Sequence, residues 1–155
     1  MRQLARLASH DLVRSVSLSH MTIDQLKPII QYVRGRIENV RGSISFNGYS
    51  FLNDYPRGCC TIASKLVILY LFHKLDIPPQ KLSLLSTIKG SDIRHDWVLY
   101  GNIHIDITGD QLSNDPVIVS EISPWPQYDY RRINYDPRKE NDLLSIFAYL
   151  YASKD

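Results

Sequence analysis

The stretch Gly58–Lys74 reads GCCTIASKLVILYLFHK. From Thr61 to Lys74 it contains no glycine or proline, and its apolar residues cover a wide face at helical spacing. A face of that width is typical of a helix that is buried on most of its surface. The pattern therefore predicts a central, largely buried helix, which Pro78-Pro79 brings to a stop.

Further helices are predicted on the N-terminal side of this stretch. The first dozen residues fit a short amphipathic helix, and Met21–Val40 fits a longer one. Two residues compete as N-cap of the longer helix. Asp24 would place Pro28 in the first turn, where its missing N–H costs least, and Thr22 would form a capping box with Gln25.

The C-terminal side indicates strands that are followed by a closing helix. A two-residue hairpin turn is expected at Gly101-Asn102. Ser123–Tyr135, rich in proline and tyrosine, is predicted to be an ordered surface loop, and Asp136-Pro137 begins a final helix through Tyr151. The predicted strands are Leu82–Ile88, His95–Tyr100, Ile103–Thr108 and Pro116–Ile122, with a short one at Ser43–Phe46 before the central helix.

Helices that precede an antiparallel sheet favour the α+β class. The 155 residues suit one domain, 1–155, and 44% of them are hydrophobic, which excludes a disordered chain. We expect N-terminal helices at 1–42, a core at 55–122 and a C-terminal helix at 136–152.

Composition also narrows the partners. A net charge of +2 provides no electrostatic reason to expect nucleic acid. The longest apolar run, Leu66–Phe72, is far shorter than the ~20 residues of a membrane span, so none is expected. The sequence implies no cofactor and leaves the oligomeric state open.

The cysteines Cys59 and Cys60 are adjacent, which suits neither a disulfide between them nor a zinc site without further ligands. The N-terminus lacks the continuous apolar stretch of a secretory signal. We therefore expect synthesis in the reducing cytoplasm, while export by a route without such a signal stays open.

Gly58-Cys59-Cys60 lies at the start of the predicted central helix. The helix dipole and the free N–H groups at that end favour a thiolate, the reactive form of cysteine. The same N–H groups can stabilise an oxyanion, and Gly58 allows close approach of a substrate backbone. A thiol nucleophile is therefore predicted here.

The hairpin supplies a matching base. Its two-residue turn places Tyr100 opposite Ile103, and continuing this register makes His95 and Asp106 diagonal neighbours, about 7 Å apart at the backbone. A carboxylate at that distance can orient an imidazole and stabilise its cation. One face then carries His95, Trp97, Asp106 and Thr108, and the opposite face carries the core residues Ile103, Ile105 and Ile107.

Three alternatives accompany this prediction. His104 lies on the face of Asp106, so it could compete for that carboxylate or be exposed to solvent. A metal site from His95, His104 and Asp106 is conceivable but lacks the spacing typical of zinc enzymes. Trp97 is expected to pack over the His95–Asp106 pair or simply to be a core aromatic residue.

Gly58-Cys59-Cys60, His95-Asp96-Trp97-Val98 and Asp106-Ile107-Thr108, in this order, resemble the papain-like and transglutaminase-like cysteine enzyme superfamily. The extension Gly109-Asp110-Gln111 is similar to small bacterial papain-fold hydrolases and toxin domains. The resemblance implies a papain-like core and a triad of nucleophile, base and orienter. These roles fall on Cys60, His95 and Asp106, since the family's Gly-X-Cys spacing selects Cys60 and leaves Cys59 at the X position.

The resemblance leaves the oxyanion donor open, because the glutamine of papain-type enzymes is absent and Asn53 stands near its place. Asn53 is either a donor or a turn former. Asn53, Gly58, Cys59, Trp97 and Gln111 are the weaker oxyanion or substrate candidates.

The function expected is hydrolysis of an amide in a protein or peptide substrate, by a peptidase or a glutamine deamidase, with a bacterial effector or toxin as the setting that the resemblance suggests. The alternative is a non-catalytic binding module on the same fold. In that case the loop Trp125–Tyr130, rich in tyrosine, would be its contact surface.

Overall fold

The computed structural model describes residues 20–43, 49–88, 90 and 92–152. Within them the chain forms a small α+β domain, as predicted, with three α-helices and one antiparallel sheet. The predicted N-terminal helix, and all of the predicted strand Ser43–Phe46 beyond Ser43, lie outside these residues. The elements are α1 (Ile23–Val40), α2 (Cys60–Leu75), α3 (Leu144–Tyr151), β1 (Leu82–Thr87), β2 (Asp96–Tyr100), β3 (Ile103–Asp106), β4 (Ile118–Ser120) and β5 (Tyr130–Ile133).

Helix α1 begins with the capping box. The Thr22 hydroxyl accepts a hydrogen bond from the Gln25 N–H, and the Gln25 side chain accepts one from the Thr22 N–H. The competing prediction of Asp24 as N-cap is wrong, and Pro28 lies inside the helix rather than in its first turn. The helix continues through the proline because one face is buried in the core by Leu26, Ile30, Val33 and Ile37.

Helix α2 is the predicted central helix, and it starts at Cys60 and ends at Leu75. It ends before Pro78-Pro79, because Asp76 adopts a left-handed conformation (φ 53°) and its N–H caps the Leu71 carbonyl. None of the helices in the described residues is long and apolar enough to cross a membrane. The buried residues of α2 are Ala63, Ser64, Leu66, Val67, Ile68, Leu69 and Leu71.

The strand order is β4-β3-β2-β1-β5, with every neighbouring pair antiparallel. The β2–β3 hairpin has the predicted register, in which Tyr100 lies opposite Ile103 and Val98 opposite Ile105. Helix α2 packs against one face of the sheet, where Ile103, Ile105 and Ile107 join the main hydrophobic core as predicted.

Strand β5 corrects the prediction of a loop throughout Ser123–Tyr135. Its residues pair with β1, Thr87 opposite Tyr130 and Leu84 opposite Ile133. The segment reads Tyr-Arg-Arg-Ile and is largely exposed, so it has none of the apolar alternation by which strands are recognised. Its position depends on the backbone groups that β1 offers at its free edge.

The closing helix also begins later than predicted. Asp136 caps only a short 3₁₀ turn, Pro137–Lys139, by accepting a hydrogen bond from the Arg138 N–H. Helix α3 begins at Leu144, because residues 138–142 are all charged or polar and have no apolar face to bury.

A buried arginine on α1 fixes the loop that follows β3. Arg34 donates from Nη1 to the carbonyls of Ile107 (2.7 Å) and Pro116 (3.0 Å), and it forms a two-pronged ion pair with Asp110 (2.9 and 2.8 Å). The sequence alone does not single out Arg34, because a charged residue on an amphipathic helix is normally exposed. The loop held in this way carries Thr108 and Gln111 of the candidate site.

Replacing Arg34 should therefore destabilise the fold. Arg34→Ala leaves Asp110 and two carbonyls without their partner, and we expect a loss of about 3 kcal/mol in the free energy of unfolding, measured by urea denaturation. Arg36→Ala is the matched control, since among the described residues Arg36 makes one hydrogen bond, to the Leu150 carbonyl, and its loss should cost about 1 kcal/mol. Equal losses in the two variants would contradict the special role of Arg34.

Candidate active site

Cys60 is the first residue of α2 and is only partly buried. The first hydrogen bond of the helix joins the Ala63 N–H to the Cys59 carbonyl, so the Cys60 N–H is one of those that the helix leaves without an internal acceptor. The thiol and this N–H are thus adjacent at the positive end of the helix dipole, as predicted.

Cys59 has a different environment. It is fully buried, and its thiol donates to the Arg57 carbonyl at 3.2 Å. Burial, with smaller contributions from the charges of Cys60 and Asp54, raises the pKa of Cys59 to about 11. Cys59 is therefore a neutral core thiol at physiological pH, which favours Cys60 as the candidate nucleophile.

His95 and Asp106 are in direct contact. His95 Nε2 lies 2.6 Å from Asp106 Oδ2, and each side chain is only 1% exposed. His95 immediately precedes β2 and Asp106 is the last residue of β3, so the hairpin register makes them the diagonal neighbours that the sequence predicts.

The Asp106 carboxylate accepts four hydrogen bonds, as an ionised carboxylate can. Oδ2 accepts from His95 and from Trp125 Nε1 (3.1 Å), and Oδ1 accepts from the N–H (2.8 Å) and hydroxyl (3.0 Å) of Thr108. These bonds hold the carboxylate in one orientation, and its bond to Nε2 favours the tautomer with a proton on that nitrogen.

Cys60 is a second neighbour of His95, since both side chains line the same cleft and Cys60 contributes to the pKa of His95. Since Nε2 is bonded to Asp106, Nδ1 is the nitrogen left for Cys60. Burial alone lowers the pKa of His95, but the hydrogen bonds and charges of Asp106 and Cys60 outweigh it and raise the pKa from 6.5 to about 9. The imidazolium form is therefore favoured beside Cys60 at neutral pH.

Two tryptophans enclose His95. Trp97 stacks on it with ring centroids 6.2 Å apart, as predicted, and Trp125 meets it edge-on at 5.4 Å. The alternative of a binding module places Trp125 on an exposed contact surface. This was wrong, because Trp125 is 3% exposed and its indole bonds Asp106. A tryptophan between two prolines has no periodicity that would reveal which way it faces.

His104 is neither a competitor for Asp106 nor exposed to solvent. It is buried, and its Nδ1 accepts a hydrogen bond from Trp97 Nε1 at 3.0 Å. Burial lowers the pKa of His104, so the neutral ring that this bond requires is favoured. The described part of the chain contains no group of three or more His, Cys, Asp or Glu residues arranged to hold a metal ion, so the alternative metal site is not found.

Asp96 joins the sheet to the start of α2, a role that the sequence alone does not reveal. Its side chain is fully buried, and Oδ2 accepts a hydrogen bond from the Thr61 hydroxyl at 2.5 Å, while its backbone carbonyl accepts one from the Ser64 hydroxyl at 3.2 Å. Two consecutive residues at the start of β2 therefore make different contacts. His95 contacts the carboxylate of Asp106, and Asp96 contacts the first turn of α2. A charged residue within an otherwise apolar predicted strand was the available signal.

Cys60 and His95 line an open cleft of about 890 Å³, together with Asn53, Gly58 and Gln111 among others. Gly58 has φ +67°, which favours glycine, and no atom of the described residues beyond its own chain neighbours lies within 4 Å of where its Cβ would be. The cleft is therefore open at this backbone position.

The two amide side chains in the cleft already have hydrogen-bond partners. Asn53 Oδ1 accepts from the Gly42 N–H at 3.0 Å, which suits the interpretation as a turn former. Gln111 Nε2 donates to the Pro56 carbonyl and so connects the loop after β3 to the segment before Cys60. The Cys60 N–H has no acceptor within its own helix, and it lies beside the thiol, so it is the backbone group best placed to stabilise an oxyanion.

A thiol and a hydrogen-bonded pair of imidazole and buried carboxylate thus lie together at an open cleft, which is the set of groups that nucleophilic acyl chemistry requires. Comparisons of the chain with protein-family models, curated proteins and solved structures found no match, so any assignment of function rests on this geometry.

Proposed function

We propose that the chain is a cysteine hydrolase with a papain-like core, which cleaves an amide bond in a protein or peptide. The observation that carries this proposal is the His95–Asp106 hydrogen bond, with His95 and Cys60 lining the same cleft at the start of α2. A structural histidine needs neither a buried carboxylate on one nitrogen nor a partly exposed thiol on the other.

The first half of the reaction forms an acyl-enzyme. The Cys60 thiolate attacks the amide carbon, a C–S bond forms, and the negative charge moves to the carbonyl oxygen, where the Cys60 N–H stabilises it. When this intermediate collapses, the C–N bond breaks and the His95 imidazolium transfers its Nδ1 proton to the leaving nitrogen. The products are a free amine, or ammonia from a side-chain amide, and a thioester.

The second half releases the acyl group. Neutral His95 removes a proton from water, the hydroxide attacks the thioester carbon, and the C–S bond breaks to return the Cys60 thiolate with His95 protonated. Asp106 remains ionised throughout and keeps Nε2 protonated, so that Nδ1 is the nitrogen that exchanges the proton. Peptide hydrolysis and glutamine deamidation share all of these steps.

Alkylation of Cys60 tests this proposal without a known substrate. In Cys59→Ala, Cys60 is the only thiol of the chain. Iodoacetamide should modify it rapidly already near pH 6, followed by mass spectrometry, because the His95 imidazolium stabilises the thiolate. His95→Ala in the same background should react much more slowly at that pH.

The non-catalytic alternative predicts a different profile. An ordinary thiol would react slowly until the pH approaches ~8.5, and the substitution of His95 would have no effect. That result would reject the hydrolase proposal.

Because the pKa of His95 is raised to about 9, its proton is present below that pH and lost above it, so amide hydrolysis should decline on the alkaline side.

A further inference from the structure

The cleft beside Cys60 is lined by exposed cations. Arg41, Arg57 and Arg94 all contribute to its walls, and all three are exposed to solvent. The whole chain has a net charge of only +2. The positive charge at this cleft is therefore a local feature and does not follow from a generally basic surface.

The carboxylates in the cleft compensate little of this charge. Asp110 lines the cleft, but the Arg34 guanidinium already pairs with both of its oxygens. Arg57 and Arg94 form no salt bridge with any described residue. Asp54 is thus the one carboxylate among the described lining residues that is not already paired.

The positive lining continues beyond the cleft. A second cavity of about 430 Å³ shares Ile93 and Arg94 with the first and adds Arg131, on the edge strand β5. We call the two adjoining cavities, with Arg41, Arg57, Arg94 and Arg131, the arginine groove. It is larger than a single carboxylate requires, and it extends away from Cys60 toward the edge of the sheet.

We propose that the arginine groove selects an acidic polypeptide segment, with Asp or Glu side chains on the residues that flank the amide attacked by Cys60. The inference rests on the proposed hydrolase function and specifies its substrate class. Guanidinium groups bind carboxylates through paired hydrogen bonds, and arginines spread along a groove match a segment with several carboxylates better than a single anion.

Two alkylating reagents of similar size but different charge report the electrostatic potential at Cys60. Iodoacetate is negatively charged and iodoacetamide is neutral, so the ratio of their rates cancels changes in the thiolate fraction. In the Cys59→Ala background, Arg57→Gln with Arg94→Gln should lower this ratio about four-fold at low ionic strength, roughly two-fold for each charge removed. Added salt should reduce the difference.

Arg132→Gln is the matched control. Arg132 is exposed on β5 but lines neither cavity, so its removal should leave the ratio unchanged. A ratio that is insensitive to Arg57 and Arg94, or that falls equally in the control, would overturn the groove proposal. Rapid labelling by iodoacetamide in the same experiment would leave the hydrolase proposal intact, which keeps the two failures distinct.

Peptide binding provides the second measurement. Fluorescent peptides of equal length, with Glu and Asp or with Gln and Asn around a central glutamine, are titrated against Cys60→Ala, which cannot turn them over. The acidic peptide should bind about ten-fold more tightly at low ionic strength and lose this advantage in the variant lacking Arg57 and Arg94. Equal affinities for the two peptides would reject the proposal even if the reagent ratio shifts.

Discussion

Cys60→Ala should abolish amide hydrolysis, with a loss of roughly 10⁴-fold or more, while the protein folds as the wild type does. Cys60 supplies the attacking sulfur, and no other described thiol can replace it, because Cys59 is buried and bonded to the Arg57 carbonyl. Cys60 is partly exposed at the end of its helix, so truncation to alanine leaves no cavity in the core.

Cys59→Ala is the matched variant on the neighbouring residue. It removes a sulfur from the core, which should cost about 1 kcal/mol of stability, and it should retain most of the activity. Turnover of a general protein substrate, with ammonia release and peptide cleavage both recorded, provides the comparison. If Cys59→Ala is inactive and Cys60→Ala is active, the assignment of the nucleophile is reversed.

Asp106→Asn should lower turnover by roughly 10²–10⁴-fold, because an amide can orient His95 in the wrong tautomer and does not stabilise the imidazolium. From the register alone, little change in stability would be expected. The contacts of Asp106 change that expectation. In one orientation of the asparagine amide its NH₂ group would face the N–H of Thr108, and in the other it would face the indole N–H of Trp125. We therefore expect an added loss of about 1–3 kcal/mol in unfolding free energy.

Trp125→Phe separates the effect on turnover from the effect on stability. It removes one donor to Asp106 and retains an aromatic ring beside His95, while the His95–Asp106 bond stays. Its stability should fall in a similar way, but its turnover should fall far less than that of Asp106→Asn, at a temperature where both remain folded. Full activity in Asp106→Asn would remove Asp106 from the site.

The local sequence pattern was sufficient to predict those elements whose geometry depends on residues close together in the chain. The apolar face of α2 predicts a buried helix with Cys60 at its start, and the Gly101-Asn102 turn determines the β2–β3 register. The contact between His95 and Asp106 follows from that register, because strand residues alternate faces with a period of two. The α+β class and the three principal site residues could therefore be proposed from the sequence.

Other features depend on neighbours that are distant in the chain. The environments of Cys59 and Cys60 differ because the packed core encloses one thiol and leaves the other at the cleft. The choice of Cys60 from the sequence depended on the Gly-X-Cys spacing of the resemblance, since local pattern does not show which of two adjacent cysteines is buried. Strand β5 exists because β1 has an edge to pair with. Trp125 reaches Asp106 from a loop 19 residues away, where no periodicity indicates a direction. Burial and long-range hydrogen bonds are properties of the packed chain, whereas spacing along the chain encodes only local geometry.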